Sequence, residues 1–288
     1  TNVALMSRFT RQPLNTFTVG YKDHVYLNEM EYADRVSREF DTRHHQVLID
    51  RSDMIGYLDQ LVYHQDEPLA DWVCIPLYFI SKLARDNGVA VVQVGEGSDE
   101  QFVGYAHYLK YVRLYRYFWR PYVRLPAPAR SIAATAARSL ATAFPGLART
   151  ADILERAARG RELFWSGAMA LWDAHKEMLY GKSPVAEVAQ DVLVQSGLVG
   201  EQTREPETHG VIKSLYRQLD ASNPNVDFVT RMGYSEFKLR LPELLLMRVD
   251  KVSMSTSVEA RVPYLDHKLV ELTMNLPEHL RIGPGAQK

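Results

Sequence analysis

Cysteine is nearly missing from this chain: Cys74 is the single thiol in 288 residues, so no internal disulfide can form, and we expect a reducing, cytoplasmic setting. No run of about 18 apolar residues occurs and no signal-peptide pattern opens the chain, which argues against a membrane span. Net charge is close to absent as well, since 34 Lys and Arg against 35 Asp and Glu leave −1. A binder of nucleic acid, tRNA included, would carry a basic footprint that this balance lacks. No compositional bias is present either: 46% hydrophobic and 24% charged residues describe an ordinary globular protein with enough chain for a sizeable core. An initiator Met is also missing from Thr1–Met6 (TNVALM), which reads as the interior of a helix, so we expect a piece of a longer protein.

The charge that is present is unevenly placed. Between Lys110 and Arg161 eleven Lys and Arg face only Asp152 and Glu155. Such a stretch could meet anionic lipid, polysaccharide or a partner chain, but a solvated helical insertion is the simpler expectation. Its aromatic residues, Tyr111, Tyr115, Tyr117, Phe118 and Trp119, read as core with snorkelling Arg rather than as a base-stacking platform.

The stretch with the most chemistry is VAVVQVGEGSDEQFVG, Val89–Gly104. Its β-branched run predicts a buried parallel strand over Val89–Val94, and Gly95 ends it. Open α/β sheets place ligands at the carboxyl ends of their strands. There, Glu96, Ser98, Asp99 and Glu100 sit within five residues, and Gly95 and Gly97 let backbone approach a ligand closely. The pattern suits a phosphate-bound Mg²⁺ and a carboxylate with a chemical role. Taken locally, an acidic surface turn fits equally well.

Around it, the order of elements points to an α/β fold. Leu14–Gly20 alternates as a strand, Asn28 stands where it can cap a helix carrying Met30, Ala33, Val36 and Phe40 on one face, and His44–Ile49 is a second strand. Ser52 is placed to cap a helix over Asp53–His64 with Ile55, Leu58, Leu61 and Val62 on its apolar face. After the loop QDEPLAD, an apolar helix over Trp72–Asn87 is closed by Gly88. The order strand, helix, strand, helix, helix, strand predicts a doubly wound parallel sheet. Helices broken at Pro121, Pro126, Pro128 and Pro145 follow Gln101, and Gly181–Met232 shows no usable pattern. Pro242–Val258 is a strong helix on which Arg248 and Lys251 share a face and could reach one anionic group, although EARVPYLD beyond it also reads as a structural ion-pair cluster. A last helix spans Lys268–Asn275.

Several of these stretches, in order, resemble the synthetase domain of the asparagine synthetase (glutamine-hydrolysing) family, which includes the β-lactam synthetases. They are FTVG at Phe17–Gly20, DEP and IPLYFISKLAR within Asp66–Arg85, VGEGSDEQFVGY at Val94–Tyr105, RVDKVSMSTSVEARVPYLD at Arg248–Asp266, and the closing LPEHLRIGPGAQK. The resemblance implies the α/β, doubly wound sheet of the ATP pyrophosphatases with a large helical insertion: residues 1–109 as the nucleotide-binding part, 110–235 as the basic insertion and 236–288 as the C-terminal helical part. It implies ATP and Mg²⁺ as cofactors, and an activated acyl-adenylate attacked by ammonia. Backbone at Val19, Val94 and Gly95 then matches the nucleotide site, Asp99 a Mg²⁺ ligand, Glu96 the acid of the amide-forming half-reaction and Lys288 the lysine that neutralises developing charge. Arg248 and Lys251 become candidates for the acceptor's other carboxylate.

Departures qualify what is implied. The family's pyrophosphate loop SGGLDS is absent, and so is the glutaminase domain that supplies ammonia; Cys74 cannot replace its nucleophile. The chain alone is therefore expected neither to hydrolyse glutamine nor to adenylate efficiently. Val103 stands where the family has a second Gly, and Trp72-Val73-Cys74 replaces smaller or more polar residues near the acceptor pocket. Glu96, where a β-lactam synthetase has Tyr, favours amidation over ring closure. The implied partners are aspartate or another carboxylate acceptor and ammonia from the missing domain, and a homodimer is allowed. A uronate or peptide carboxylate acceptor stays open, as does a binding-only relative.

Overall fold

The computed structural model describes residues 1–23, 28–67, 69, 71–167 and 208–282. The chain forms two compact units, one of Thr1–Gly97 with Pro242–Leu269 and one of Ser98–Leu241 with Val270–Lys288. It is an α/β protein, mostly helical, with parallel strands.

In the first unit, helix α1 (Asn2–Phe9) leads to strand β1 (Asn15–Tyr21), helix α2 (Met30–Glu39) and strand β2 (Arg43–Ile49). β1 and β2 pair in parallel with Asn15 opposite Arg43 and Tyr21 opposite Ile49. Both strands lie within a residue of their expected positions. Asn28 does not cap α2: its Oδ1 accepts from the Tyr21 amide at 2.6 Å and its Nδ2 donates to the Tyr21 carbonyl at 3.0 Å. A short amide side chain copying a backbone pair pins the end of β1 instead.

Helix α3 (Arg51–Gln65) starts earlier than expected because Asp50, not Ser52, caps it. The Asp50 carboxylate accepts from the Ser52 and Asp53 amides while Asp53 accepts from the Asp50 amide, a capping box that satisfies orphan donors reciprocally. Hydrogen bonds from Lys22 and Ser52 hold the Asp50 carboxyl well below the usual carboxylate range. The apolar stripe of α3 is not core: Ile55, Leu58 and Val62 are exposed, and Tyr57 and Gln65 are the buried residues. Tyr57 stacks on Tyr78, so packing has selected the aromatic rather than the aliphatic side of this helix.

Helix α4 (Cys74–Asp86) buries Cys74, Ile75 and Ala84 and ends at Gly88, whose φ of +74° is the left-handed conformation a helix stop needs. Strand β3 (Val91–Gln93) follows and pairs in parallel with β4 (Glu259–Arg261); it is shorter than the expected Val89–Val94 and is not buried, since Val91 and Gln93 are exposed. β4 was hidden in the sequence by its composition, since two exposed charges flank its one alanine. The expected helix over Pro242–Val258 is a π-turn at Leu241–Leu246 followed by an α-helix at Met247–Met254. Among the described residues the strands form two ladders, β1–β2 and β3–β4.

The second unit is helical. Pro126 precedes the helix Ala127–Ala143 and Pro145 opens the turn Pro145–Leu147, as proline's fixed φ and missing N–H allow, whereas Pro121 and Pro128 break nothing: each lies in the first turn of a helical segment, Arg120–Tyr122 and Ala127–Ala143. Its core gathers Tyr108, Tyr111, Trp119, Tyr122, Leu163, Phe164, Val229 and Met232. Tyr117 is exposed. The basic stretch is not wholly solvated: Arg156 is buried against Asp152 at 2.9 Å and lies 3.7 Å over the Trp165 ring. In the stretch without usable pattern a helix runs over Thr208–Ser222, and a second, Phe228–Lys238, starts there and runs past its end. The second of these buries Ser235 and Glu236 beside Val229 and Met232, so its core face reads as mixed.

Candidate active site

β3 ends at the acidic turn. The Val94 amide donates to the Arg261 carbonyl at 2.9 Å, which fixes the first residue after the strand. Gly97 has φ +90°, and a Cβ there would come within 2.8 Å of Leu265 Cγ, so that position needs glycine for both conformation and space. Glu96 lies between these fixed points. Its Oε1 accepts from Arg248 Nη2 at 3.4 Å, and Arg248 Nη1 donates to Asp71 Oδ2. The three side chains are 22%, 11% and 14% exposed, which places the cluster largely out of bulk water.

Lys251, one helical turn on, reaches other groups: Nζ donates to the Gln65 carbonyl at 2.6 Å and to Glu67 Oε1 at 3.3 Å. Arg248 and Lys251 therefore do not converge on one protein carboxylate. They tie the α3–α4 loop to the Met247–Met254 helix at two points. Asp71 and Glu67 were not singled out in the sequence; Asp71 and Arg248 are 177 residues apart, and no local pattern announces such a pair.

Val94 borders a cleft of ≈ 290 Å³ in the first unit, walled by α1, α4, Leu14–Phe17 and Val91–Val94; Val19, on β1 opposite Val47, is not among its walls. Consecutive residues of a strand point to opposite faces, so walls made of Leu14–Phe17 and Val91–Val94 are strand edges rather than one sheet face. Cys74 is buried at the start of α4, and burial pushes its thiol up to about 11, which makes it a poor nucleophile.

The rest of the acidic turn belongs to the second unit. Helix α5 (Ser98–Phe102) is only five residues long, too short to be stable alone, and its Glu100 and Gln101 are buried. Gln101 Oε1 accepts from Thr273 at 2.6 Å, and its carbonyl accepts from Arg281 Nε at 3.0 Å. Burial raises the Glu100 carboxyl. Asp99 is backed by Gly104, whose amide donates to the Asp99 carbonyl at 3.0 Å and where a Cβ would lie 2.9 Å from Asp99 Cγ. Among the described residues no group of three or more His, Cys, Asp and Glu could hold a metal. One carboxylate in a glycine cradle fits Mg²⁺ that is held mainly by phosphates and water. Lys288 lies outside the described residues.

Val103, between α5 and Gly104, has φ +56°, a costly conformation for a β-branched residue. Its side chain is 6% exposed in the aromatic core. Left-handed strain of about 1–2 kcal/mol is thus offset by roughly 1.5–3 kcal/mol of burial, and valine is retained. Val103→Ala keeps the strain and loses most of the burial, whereas Val103→Gly loses the burial and the strain together. We expect urea unfolding to rank wild type above Val103→Gly and Val103→Gly above Val103→Ala, each step about 1 kcal/mol; the reverse order of the two variants would refute this account.

A glycine-framed acidic turn at the carboxyl end of a parallel strand, with a largely buried Arg–carboxylate cluster beside it, marks this α/β protein. The asparagine synthase family matches residues 3–288, and the chain belongs to that family. It is 28% identical over 269 residues to a putative glutamine-hydrolysing asparagine synthetase of Mycobacterium bovis, covering 93% of this chain and 36% of that protein. It is 25% identical to asparagine synthetase (glutamine-hydrolysing) 1 of Bacillus subtilis, covering 96% and 38%, and 24% identical to the amidase chyE of Penicillium rubens, covering 93% and 38%. The chain thus spans little more than a third of the length of these relatives. No helix among the described residues is long and apolar enough to cross a membrane.

Proposed function

We propose that this chain is the synthetase part of a longer, cytoplasmic, glutamine-dependent asparagine synthetase: an ATP-dependent ligase that activates the side-chain carboxylate of aspartate and joins it to ammonia, giving asparagine, AMP and pyrophosphate. The observation that carries this reading is the strand-end turn, where Glu96 and Asp99 stand on either side of Gly97 within a family match that covers nearly the whole chain. Making an amide from a carboxylate requires a better leaving group than hydroxide, which ATP provides. Mg²⁺, when bound, neutralises charge on the phosphate oxygens. Asp99 would hold it, and backbone at Val19, Val94 and Gly95 would border the nucleotide. Glu96, partly desolvated and hydrogen-bonded by Arg248, would handle a proton or orient ammonia, and Lys288, matched through the family resemblance alone, would meet charge on the reacting centre.

On this reading the two ladders are flanks of one doubly wound sheet. The edge-walled cleft supports it, because β1 and β3 both offer it an edge unpaired among the described residues. A central strand supplied from upstream, leading into a phosphate loop and then α1, would fill that cleft and complete the nucleotide site.

A second reading keeps the chemistry and changes the acceptor to a sugar uronate or a peptide carboxylate. Trp72, 64% exposed beside Asp71, favours it. Acceptor-dependent ATP–pyrophosphate exchange tests both. The 288-residue chain assayed alone should show no exchange and no glutaminase activity, while the longer polypeptide exchanges with aspartate. Exchange only with a uronate or peptide would move the assignment to the second reading, and substantial turnover by the short chain would sink the missing-loop account.

A further inference from the structure

We propose that Asp71 and Arg248 are positioning residues for Glu96, and that Arg248 does not anchor the acceptor. The inference rests on the amide-forming role of Glu96 proposed above. Arg248 bridges two carboxylates, Asp71 through Nη1 and Glu96 through Nη2. All three side chains are at most 22% exposed, so these charges are poorly screened and depend on one another. Asp71, Glu96 and Glu67 together set three negative charges against the two of Arg248 and Lys251. A carboxylate acceptor arriving there would meet cations already over-neutralised. Glu96, by contrast, sits on a turn whose own backbone leaves its side chain to be oriented from outside. A guanidinium is suited to this task, since its planar fork holds two carboxylates at a fixed angle where an ammonium would act as a point charge. Asp71 fixes the far end of the fork. The α3–α4 loop, further tied down by Lys251, thereby sets the direction of a carboxylate on the opposite side of Arg248.

The test separates the two half-reactions in the longer polypeptide. Exchange reports acceptor binding and activation, whereas amide formation also needs Glu96. Arg248→Gln should slow amide formation ~100-fold, the size of a misplaced acid or base, with the acceptor KM in exchange changed less than about twofold. Arg248→Lys should keep more amide formation than Arg248→Gln. Adding Arg248→Gln to Glu96→Gln should cost nothing further, since residues that act as a unit are not additive. An acceptor KM raised ~30-fold or more in exchange, with the ratio of amide formation to exchange unchanged, would make Arg248 an acceptor anchor and overturn the proposal. Glu96→Gln without effect on either half-reaction would overturn the role of Glu96 itself, a different failure. Removing the anchor gives a readout free of activity: in a crystal structure of Asp71→Ala the Arg248 fork should swing and carry the Glu96 carboxylate away from its wild-type position. Glu96 still in its wild-type position would also overturn the proposal.

Discussion

Glu236→Ala should lower the unfolding free energy by about 3–5 kcal/mol, the cost of leaving one partner of a buried ion pair uncompensated. Glu236 is fully buried on the helix Phe228–Lys238. One oxygen accepts from the Tyr108 hydroxyl at 2.5 Å and from Arg240 Nη1 at 3.2 Å, and the other from the Gly167 amide at 2.6 Å. Arg240 also lies 4.7 Å from the Tyr105 ring centroid and 3.7 Å from Glu100. Truncation therefore orphans a guanidinium, a hydroxyl and a backbone N–H at once. Each neutral hydrogen bond is worth only about 0.5–1.5 kcal/mol net, so the exposed loss is dominated by the unpaired charge. Glu236→Gln preserves volume and one acceptor but turns the other oxygen into a donor facing donors, and should fall between alanine and wild type. Urea titration followed by far-ultraviolet circular dichroism gives the comparison, read from midpoints at unchanged slope. A loss under about 1 kcal/mol for the alanine variant would mean that Arg240 finds Glu100 as a sufficient substitute.

The same network explains why part of the fold was illegible in the sequence. β1, β2, α4 and β3 were visible because their apolar spacing, and for α4 and β3 a closing glycine, act locally, within a few residues. Phe228–Lys238 was not, because the face that carries Val229 and Met232 into the core continues with Ser235 and Glu236, which cuts its apolar stripe short. α3 failed in the opposite sense: its stripe of Ile55, Leu58 and Val62 is real, yet tertiary packing turned Tyr57 inward. At the candidate site, GEGSDE marked itself through residue type and glycine placement. Its partner Asp71 did not, since only folding brings it to Arg248.

Gly104→Ala should reduce ATP–pyrophosphate exchange by the longer polypeptide ~1,000-fold, as severely as Asp99→Asn, although it removes no polar atom. A fold-change of that size corresponds to about 4 kcal/mol, within reach of a metal that supplies several kcal/mol of charge stabilisation. The new methyl group would sit inside van der Waals distance of the Asp99 carboxylate, 2.9 Å from its Cγ and 3.2 Å from its Cα. Neither neighbour can yield easily. The Asp99 backbone is held by the Gly104 amide at 3.0 Å, and the two residues after it, Glu100 and Gln101, are buried. Gln101 in turn is clamped by Thr273 and Arg281. The side chain must then rotate away from the direction the glycine cradle allows, or α5 must shift against these contacts. Unfolding separates the causes: overpacking should destabilise Gly104→Ala by about 1–3 kcal/mol, whereas Asp99→Asn, nearly isosteric, should unfold close to wild type. Exchange within tenfold of wild type for Gly104→Ala would show that the cradle does not orient Asp99. A shared loss of exchange from one variant that strains the helix and another that leaves it intact would instead trace the effect to the one group both disturb, the Asp99 carboxylate.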